Sequence, residues 1–512
     1  MSEPAAAAAP AESASFCPAR RRRFVLLAAI LASSMGFIDG TVVSIATPAI
    51  RADLGASLAD AQWISNAYLL LLASVLLLGG AAGDRFGVRN VFIAGIGLFV
   101  AASIACAVAP SPTLLIVFRA VQGFGAAFMV PSSLAIIAKA YPKAERGRAI
   151  GIWAAASSLT TIMGPVLGGL LLTWLGDWSW RLIFAINLPL GAVALAMLVF
   201  LVPADKPEAG RHLDVVGGVL ATAGLLLVAL GLTGDADAPL SATIGFVLAG
   251  LVVLGAFIWW EARSREPMLP LGFFRQAQFS GAQALTFTLY FSLTAVTFYL
   301  PMTLIAGWGE TAAVVSLTML PLGIAITVLS PIAGTLADRF GPGPMIAAGS
   351  LLVSIAFGLI AVTTPLHNTW FVLLPLNALF GIGMGLVVSP LSTAVMTSVS
   401  DHDTGVASGV NNAVSRVASL FAVATMGALI RVVFGGALGE FAELEIFFGV
   451  KPDIALAADA EAVRIAATDA AFAAVAYVCS GLSLLSAIVG WLTLERRLGR
   501  PADGEATPPT PP

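Results

Sequence analysis

Charge is scarce in this 512-residue chain: Asp, Glu, Lys and Arg together supply 11% of it, against about 25% in soluble domains. Apolar residues supply 58% and the mean hydropathy is +0.94, which excludes an ordinary soluble protein. Three cysteines, Cys17, Cys106 and Cys479, are too few and too dispersed for a disulfide framework or a zinc site. Cys106 and Cys479 lie in apolar runs and read as small packing residues. The histidines are His212, His367 and His402, all between apolar runs. Asp401-His402-Asp403 lacks the further ligands of a metal site, so a solvated turn is expected there. The phosphate-binding pattern GxxxxGK[ST] does not occur, which leaves direct ATP drive unsupported. No enzyme, cofactor, metal or nucleic-acid partner is expected.

What the chain does contain is apolar helix length. With roughly 20 residues needed per span, runs bounded by charge or by Gly/Pro clusters give fourteen candidates: about 24–48, 62–82, 90–109, 113–138, 149–173, 180–202, 215–233, 240–260, 279–303, 312–333, 344–363, 369–397, 405–434 and 470–494. Arg20 to Arg23 precede a first run reaching about Ile50, too long for the 7–15 residue core of a secretory signal, so it reads as a retained span. Residues 1–23 and 495–512 read as disordered tails. An all-α integral membrane protein is expected.

Gly80-Ala81-Ala82-Gly83-Asp84-Arg85-Phe86-Gly87 returns as Gly334-Thr335-Leu336-Ala337-Asp338-Arg339-Phe340-Gly341, with five of eight positions identical. The copies follow spans two and ten. That offset fits a six-helix bundle over 24–202, two inserted helices and their linkers over 203–278, and a second six-helix bundle over 279–494. In chains built of repeated halves the substrate path lies between the halves.

Arg20–Arg23, Arg85, Arg89, Lys139, Lys143, Arg146, Arg148, Lys206, Arg211, Arg263, Arg265, Arg275, Arg339, Arg496, Arg497 and Arg500 fall on one side, 19 of the 26 basic residues. By the positive-inside rule that side, with both termini, is cytoplasmic. The segment 435–469 on the other side alternates acidic and apolar residues. A solvated connector is expected there, with a short amphipathic helix as the alternative.

Three charges interrupt the apolar runs: Asp39 in span one, Arg119 in span four and Arg416 in span thirteen. Each costs about 2.5–3.5 kcal/mol if ionised at mid-membrane, so such residues face the bundle interior and work there. Asp39 and Arg119 both come out about 8–9 Å below the outer surface, deep enough to pair. A carboxylate grips its proton more tightly once a neighbouring guanidinium leaves a low-dielectric cavity. Movement alone then makes such a pair a proton switch; the alternative is a fixed ion pair that only orients two helices. Arg416 reads equally as a snorkelling residue and as a functional one.

Gly164-Pro165-Val166-Leu167-Gly168-Gly169 interrupts span five. Proline bends a helix and the glycines allow close helix contact, which suits a gating helix or simple packing. Asp84 and Asp338, each followed by an arginine, are placed to meet a neighbouring helix N-terminus. A latch between rocking halves is expected from them.

The octet with Arg89, Arg119-Ala-Val-Gln122-Gly123-Phe-Gly125, Gly151 with Gly164-Pro165-x-x-Gly168-Gly169, Asp39-Gly-Thr41-Val-Val, and Trp180-Arg181-Leu-Ile-Phe184-x-Ile-Asn187-x-Pro189-x-Gly191 together resemble the major facilitator superfamily. Within it they resemble the fourteen-helix drug:proton antiporters, which include bacterial multidrug and quaternary-ammonium exporters. The resemblance spans about 20–495. It implies the major facilitator fold of two six-helix bundles with two additional helices between them. It also implies Asp39 and Arg119 in proton coupling, Gly164, Pro165, Gly168 and Gly169 in gating, and Asp84, Arg85, Gly87, Arg89, Asp338 and Arg339 in the latch. Ser44 and Thr47 depart from the usual Asn and Leu of helix one, and Pro342-Gly343-Pro344 replaces basic residues after the second octet.

Candidate substrate residues are Phe37, Asn66, Tyr68, Gln122, Met129, Trp153, Phe287, Tyr290, Phe291, Asn377, Met384, Asn411, Asn412 and Arg416. Aromatic and methionine walls accept many shapes, and aromatic faces attract delocalised cations. With Asp39 the only acidic residue placed deep in a span, a lipophilic neutral or monocationic substrate is expected. The reading is therefore a monomeric proton-coupled exporter of amphiphilic drugs or antibiotics in a bacterial plasma membrane. The competing readings are a dedicated exporter of one metabolite and a non-transporting receptor or scaffold. The need for a periplasmic adaptor is not legible.

Overall fold

The computed structural model describes residues 16–205, 207, 213–233, 239–400, 403–444, 446–452 and 455–494. His212, His402, Lys206, Arg211, the tail 495–512 and most of the tail 1–23 lie outside the described residues. The described residues are helical, without strands, and hold fourteen helices long and apolar enough to cross a membrane. These are α1 (Ala19–Leu54), α2 (Leu58–Phe86), α3 (Val88–Ala107), α4 (Pro112–Ala140), α5 (Glu145–Leu175), α6 (Asp177–Phe200), α7 (Val215–Leu232), α8 (Leu240–Glu261), α9 (Ala277–Gly307), α10 (Ala312–Phe340), α11 (Pro342–Leu366), α12 (Thr369–Thr397), α13 (Thr404–Phe441) and α14 (Ala458–Thr493).

Local sequence sets the turns. Gly55 ends α1 in the left-handed region, and Ser57 opens α2 through a reciprocal capping box with Asp60, satisfying donors that a helix start leaves orphaned. The last glycine of each octet makes a one-residue turn, with φ of 89° at Gly87 and 84° at Gly341, a conformation that a side chain disfavours. The arginine before it stacks on its neighbour in both copies, Arg85 on Phe86 and Arg339 on Phe340. The repeat is thus a repeated turn. Such short links make successive helices antiparallel, so the ends at Ala19 and Thr493 share one face of the bundle, the terminal face. The opposite face is the distal face.

Helices α1–α6 pack together, chiefly α2 and α3 on α4 and α1 on α5. A Cβ at Gly123 would fall 2.2 Å from the Tyr68 carbonyl oxygen, so glycine in the Arg119 motif lets α4 touch the α2 backbone. Helices α9–α14 form the second bundle, with α14 on α11, α10 on α12, and α9 against α13 and α14. The bundles meet along α2–α13, α5–α10 and α1–α9. The inserted helices α7 and α8 pair with each other, and α7 lies against both α2 and α13. The insertion thus backs one of the seams between the halves.

Two boundaries differ from the sequence expectation. Helix α1 starts at Ala19, so Arg20–Arg23 are helical, and Arg22 reaches Glu145 of α5 at 3.0 Å. The segment 435–469 is not a solvated connector: α13 continues through Phe441, α14 begins at Ala458, and Ile446 and Phe448 between them are buried. Phe448 packs against Tyr299 and Phe434, and its carbonyl accepts from Arg51 at the end of α1. Burial of these two apolar side chains ties the segment down.

Candidate functional site

Asp39 on α1 and Arg119 on α4 are 1% and 2% exposed. Arg119 Nη1 donates to Asp39 Oδ2 at 2.5 Å and to Gln122 Oε1 at 2.6 Å. Its Nε donates to the Ile64 carbonyl of α2 at 2.9 Å. Gln122, one turn along α4, donates through Nε2 to Asp39 Oδ1 at 3.0 Å and to Ser103 Oγ on α3 at 2.8 Å. Asn187 of α6 donates to the same Ser103 oxygen at 3.2 Å. Five helices therefore converge on one ion pair. The Tyr68 ring lies 4.3 Å from the Arg119 guanidinium carbon and the Phe184 ring 5.7 Å, a cation–π cover that keeps the charge from the lipid.

The chemistry follows from desolvation. A buried pair of opposite charges survives only with good geometry and satisfied remaining lone pairs. Here both carboxylate oxygens and two guanidinium nitrogens are engaged. Sequence reasoning named Asp39, Arg119, Gln122 and Tyr68. It passed over Ser103 as one hydroxyl in an apolar helix, and it noted Asn187 only within the start of span six.

The glycine motif of α5 faces two ways. A Cβ at Gly168 would lie 2.6 Å from Val42 of α1, and one at Gly169 would lie 2.2 Å from Ser316 Oγ and 2.5 Å from the Ala312 carbonyl of α10. Gly164 sits against Thr41 and Ile38. Helix α5 continues through Pro165. Three polar contacts joining the halves lie toward the distal face: Ala313 N to Thr173 Oγ1 at 2.9 Å, Gln62 Nε2 to Tyr299 OH at 2.9 Å, and Arg51 to the Phe448 carbonyl.

At the terminal face the start of α3 is held by the linker after α6. Asp205, beyond α6, accepts from Val88 N and Arg89 N, each at 2.9 Å. Arg89 reaches back to the Leu198 and Val199 carbonyls of α6. Asp84 lies 3.8 Å from Lys139, which is also 3.9 Å from Asp205. These contacts hold α2, α3, α4 and α6 of one bundle together. The one-residue turn at Gly87 leaves the first α3 amides to the carboxylate of that linker.

The remaining candidates divide. Phe37, Phe287, Tyr290 and Arg416 are half-buried, and Asn412 is exposed. Phe287 faces Phe291 and Phe421 with ring centroids 6.2 and 6.3 Å apart. Asn411 accepts from Thr286 at 2.6 Å and Trp153 donates to Ser33 at 2.9 Å. Asn66 is fully buried, with both amide atoms lacking a described hydrogen-bond partner. Met129 and Met384 are each buried in the core of their own bundle. Asn377 is buried, its Nδ2 tying α12 to the Thr318 carbonyl of α10 at 3.0 Å.

A family model described as Major Facilitator Superfamily matches residues 28–423. The chain belongs to the major facilitator superfamily. It is 34% identical over 417 residues to the tetracenomycin C resistance and export protein of Streptomyces glaucescens, covering 79% of this chain and 75% of that protein. It is 33% identical over 415 residues to the multidrug resistance protein Stp of Mycobacterium tuberculosis, covering 80% and 76%. It is 32% identical over 442 residues to a probable actinorhodin transporter of Streptomyces coelicolor, covering 84% and 75%. Among solved structures, a bacterial homolog of the lysosomal transporter Spinster matches with a TM-score of 0.63 at 16% identity, covering 92% of this chain and 98% of that one. A D-xylose-proton symporter matches at 0.62 and 15% identity, with the same coverages. At such identities the structures speak for the fold alone. The superfamily member described here is a multi-pass membrane transporter with antibiotic and multidrug exporters among its relatives.

Proposed function

We propose that this transporter is a proton-coupled antiporter that exports lipophilic, drug-like small molecules across the bacterial plasma membrane. It works as a monomer by alternating access, with the terminal face cytoplasmic and Asp39–Arg119 as the proton switch. The observation carrying this reading is the buried Asp39–Arg119–Gln122 network, a costly arrangement inside a membrane whose proton affinity depends on how α1 and α4 sit. The α5–α10 contact at Gly169 supports α5 as a gating helix, and the distal contacts through Tyr299, Thr173 and Arg51 support a closed outer gate. A membrane potential of about 100 mV supplies about 2.3 kcal/mol per proton moved, enough for a substantial gradient.

The test uses inverted membrane vesicles with an imposed pH gradient, followed with a pH-quenched dye. Addition of ethidium, rhodamine 6G or fluorescein should release protons, and a protonophore should abolish the response. Substrate uptake that is indifferent to the protonophore would contradict proton coupling. Relatives named for single antibiotics favour a second reading, export of one native metabolite, which predicts a response to only one compound class.

A further inference from the structure

The ion pair leaves one deep charge over. Arg416 lies on α13, half-buried, and has no hydrogen-bond or ion-pair partner among the described residues. The carboxylate within reach of the same Tyr68 is committed elsewhere, and so are those at the distal face. Asp39 is held by Arg119 and Gln122. Toward the distal face, Asp469 holds His367 and Trp308, and Glu461 holds Arg464. What lies within electrostatic reach of Arg416 is a pair of tyrosines, Tyr68 of α2 in one bundle and Tyr290 of α9 in the other. The first of them is the ring covering Arg119.

The surroundings have the form of a site. One turn toward the terminal face, Asn412 is exposed. About one turn the other way, Ser419 is buried and bonded to Thr294 of α9 at 2.8 Å. The face of α13 bearing Arg416 is therefore open toward the terminal side and closed distally. On α9, Phe287 and Phe291 flank Tyr290 along the helix, their ring centroids 6.2 Å apart. A guanidinium in a low-dielectric cleft binds carboxylates through paired charge-assisted hydrogen bonds and repels cations. Flat aromatic walls favour flat aromatic ligands.

We propose that Arg416 anchors the substrate's acidic group, so that this transporter carries planar aromatic acids, compounds with a carboxylate or phenolate on an apolar ring system. This rests on the export reading above and departs from the neutral or monocationic substrate expected from sequence. The electrical bookkeeping agrees with it. An inside-negative potential drives a proton inward and an anion outward, so both movements run downhill. Exchange of one proton for one monocation moves no net charge and gains nothing from that potential.

The test compares two dyes on one xanthene skeleton, fluorescein (acidic) and rhodamine 6G (cationic), by equilibrium binding to the full-length protein in lipid nanodiscs. Wild type should bind fluorescein more tightly. Arg416→Gln should weaken fluorescein binding at least tenfold while leaving or improving rhodamine 6G binding, and Arg416→Lys should retain part of the affinity. Preference for rhodamine 6G in wild type, binding of neither dye, or unchanged fluorescein affinity in a monodisperse Arg416→Gln protein overturns the proposal. None of these binding results depends on proton movement, so the coupling reading stands or falls separately in the vesicle assay.

Discussion

Gln122 touches both members of the buried ion pair, donating to Asp39 at 3.0 Å and accepting from Arg119 at 2.6 Å. A single amide thus fixes the distance between two charges on different helices. Gln122→Leu fills similar volume but strips the carboxylate of a donor and leaves Ser103 without one of its contacts. A buried polar group so orphaned costs about 1–3 kcal/mol. Reduced thermal stability in detergent is expected, together with weaker proton-linked transport. Transport and melting temperature equal to wild type would show that the amide is incidental.

Gly169 brings α5 against α10, where a Cβ would fall 2.5 Å from a backbone carbonyl that has no side-chain freedom to yield. Gly169→Ala should hold the distal gate apart. Disulfide formation between Thr173→Cys and Ala313→Cys, whose parent residues are hydrogen-bonded, measures this. The cross-link should form in the Gly169 background and fall severalfold with alanine. Equal yields would remove α5 from the gate.

Asp205, rather than Asp84, holds the start of α3. A carboxylate at a helix N-terminus contributes about 0.3–1 kcal/mol when exposed and up to about 2 kcal/mol when partly buried. Asp205→Asn should therefore lower stability more than Asp84→Asn, measured by thermal unfolding of the purified proteins. The reverse order would return the main structural role to the octet.

If the substrate is an anion, transport should respond to voltage. In liposomes loaded with fluorescein and set at a fixed pH gradient, an inside-negative potassium diffusion potential should accelerate efflux through copies whose terminal face lies inside. Efflux unaffected by the potential would contradict net positive charge moving inward.

The sequence legibly carried the spans, because helix length and hydropathy respond to the membrane directly, and the Asp39–Arg119 pair, because charges in apolar runs are conspicuous. It did not carry the partners that complete the network. Ser103 and Asn187 are ordinary polar residues whose value arises only where α3, α4 and α6 converge. The octet was visible as a repeat, but the turn conformation of its last glycine was not, since a positive φ leaves no mark in composition. Met129 and Met384 lie in the cores of their bundles, and composition does not say which methionines line a binding wall, because methionine suits a wall and a packed core equally well. Ile446 and Phe448 were lost among acidic neighbours in the 435–469 segment, although two buried side chains suffice to fold it inward.

The central claim is that Asp39 carries the transported proton. The most direct measurement is proton-linked uptake in inverted vesicles for wild type, Asp39→Glu and Asp39→Asn, with each protein quantified in the membrane. The account predicts substrate-dependent proton release in wild type, a reduced response with glutamate, and none with asparagine, while Asp39→Asn still exchanges substrate down its gradient. Proton release that persists in Asp39→Asn would contradict it and place the coupling site elsewhere.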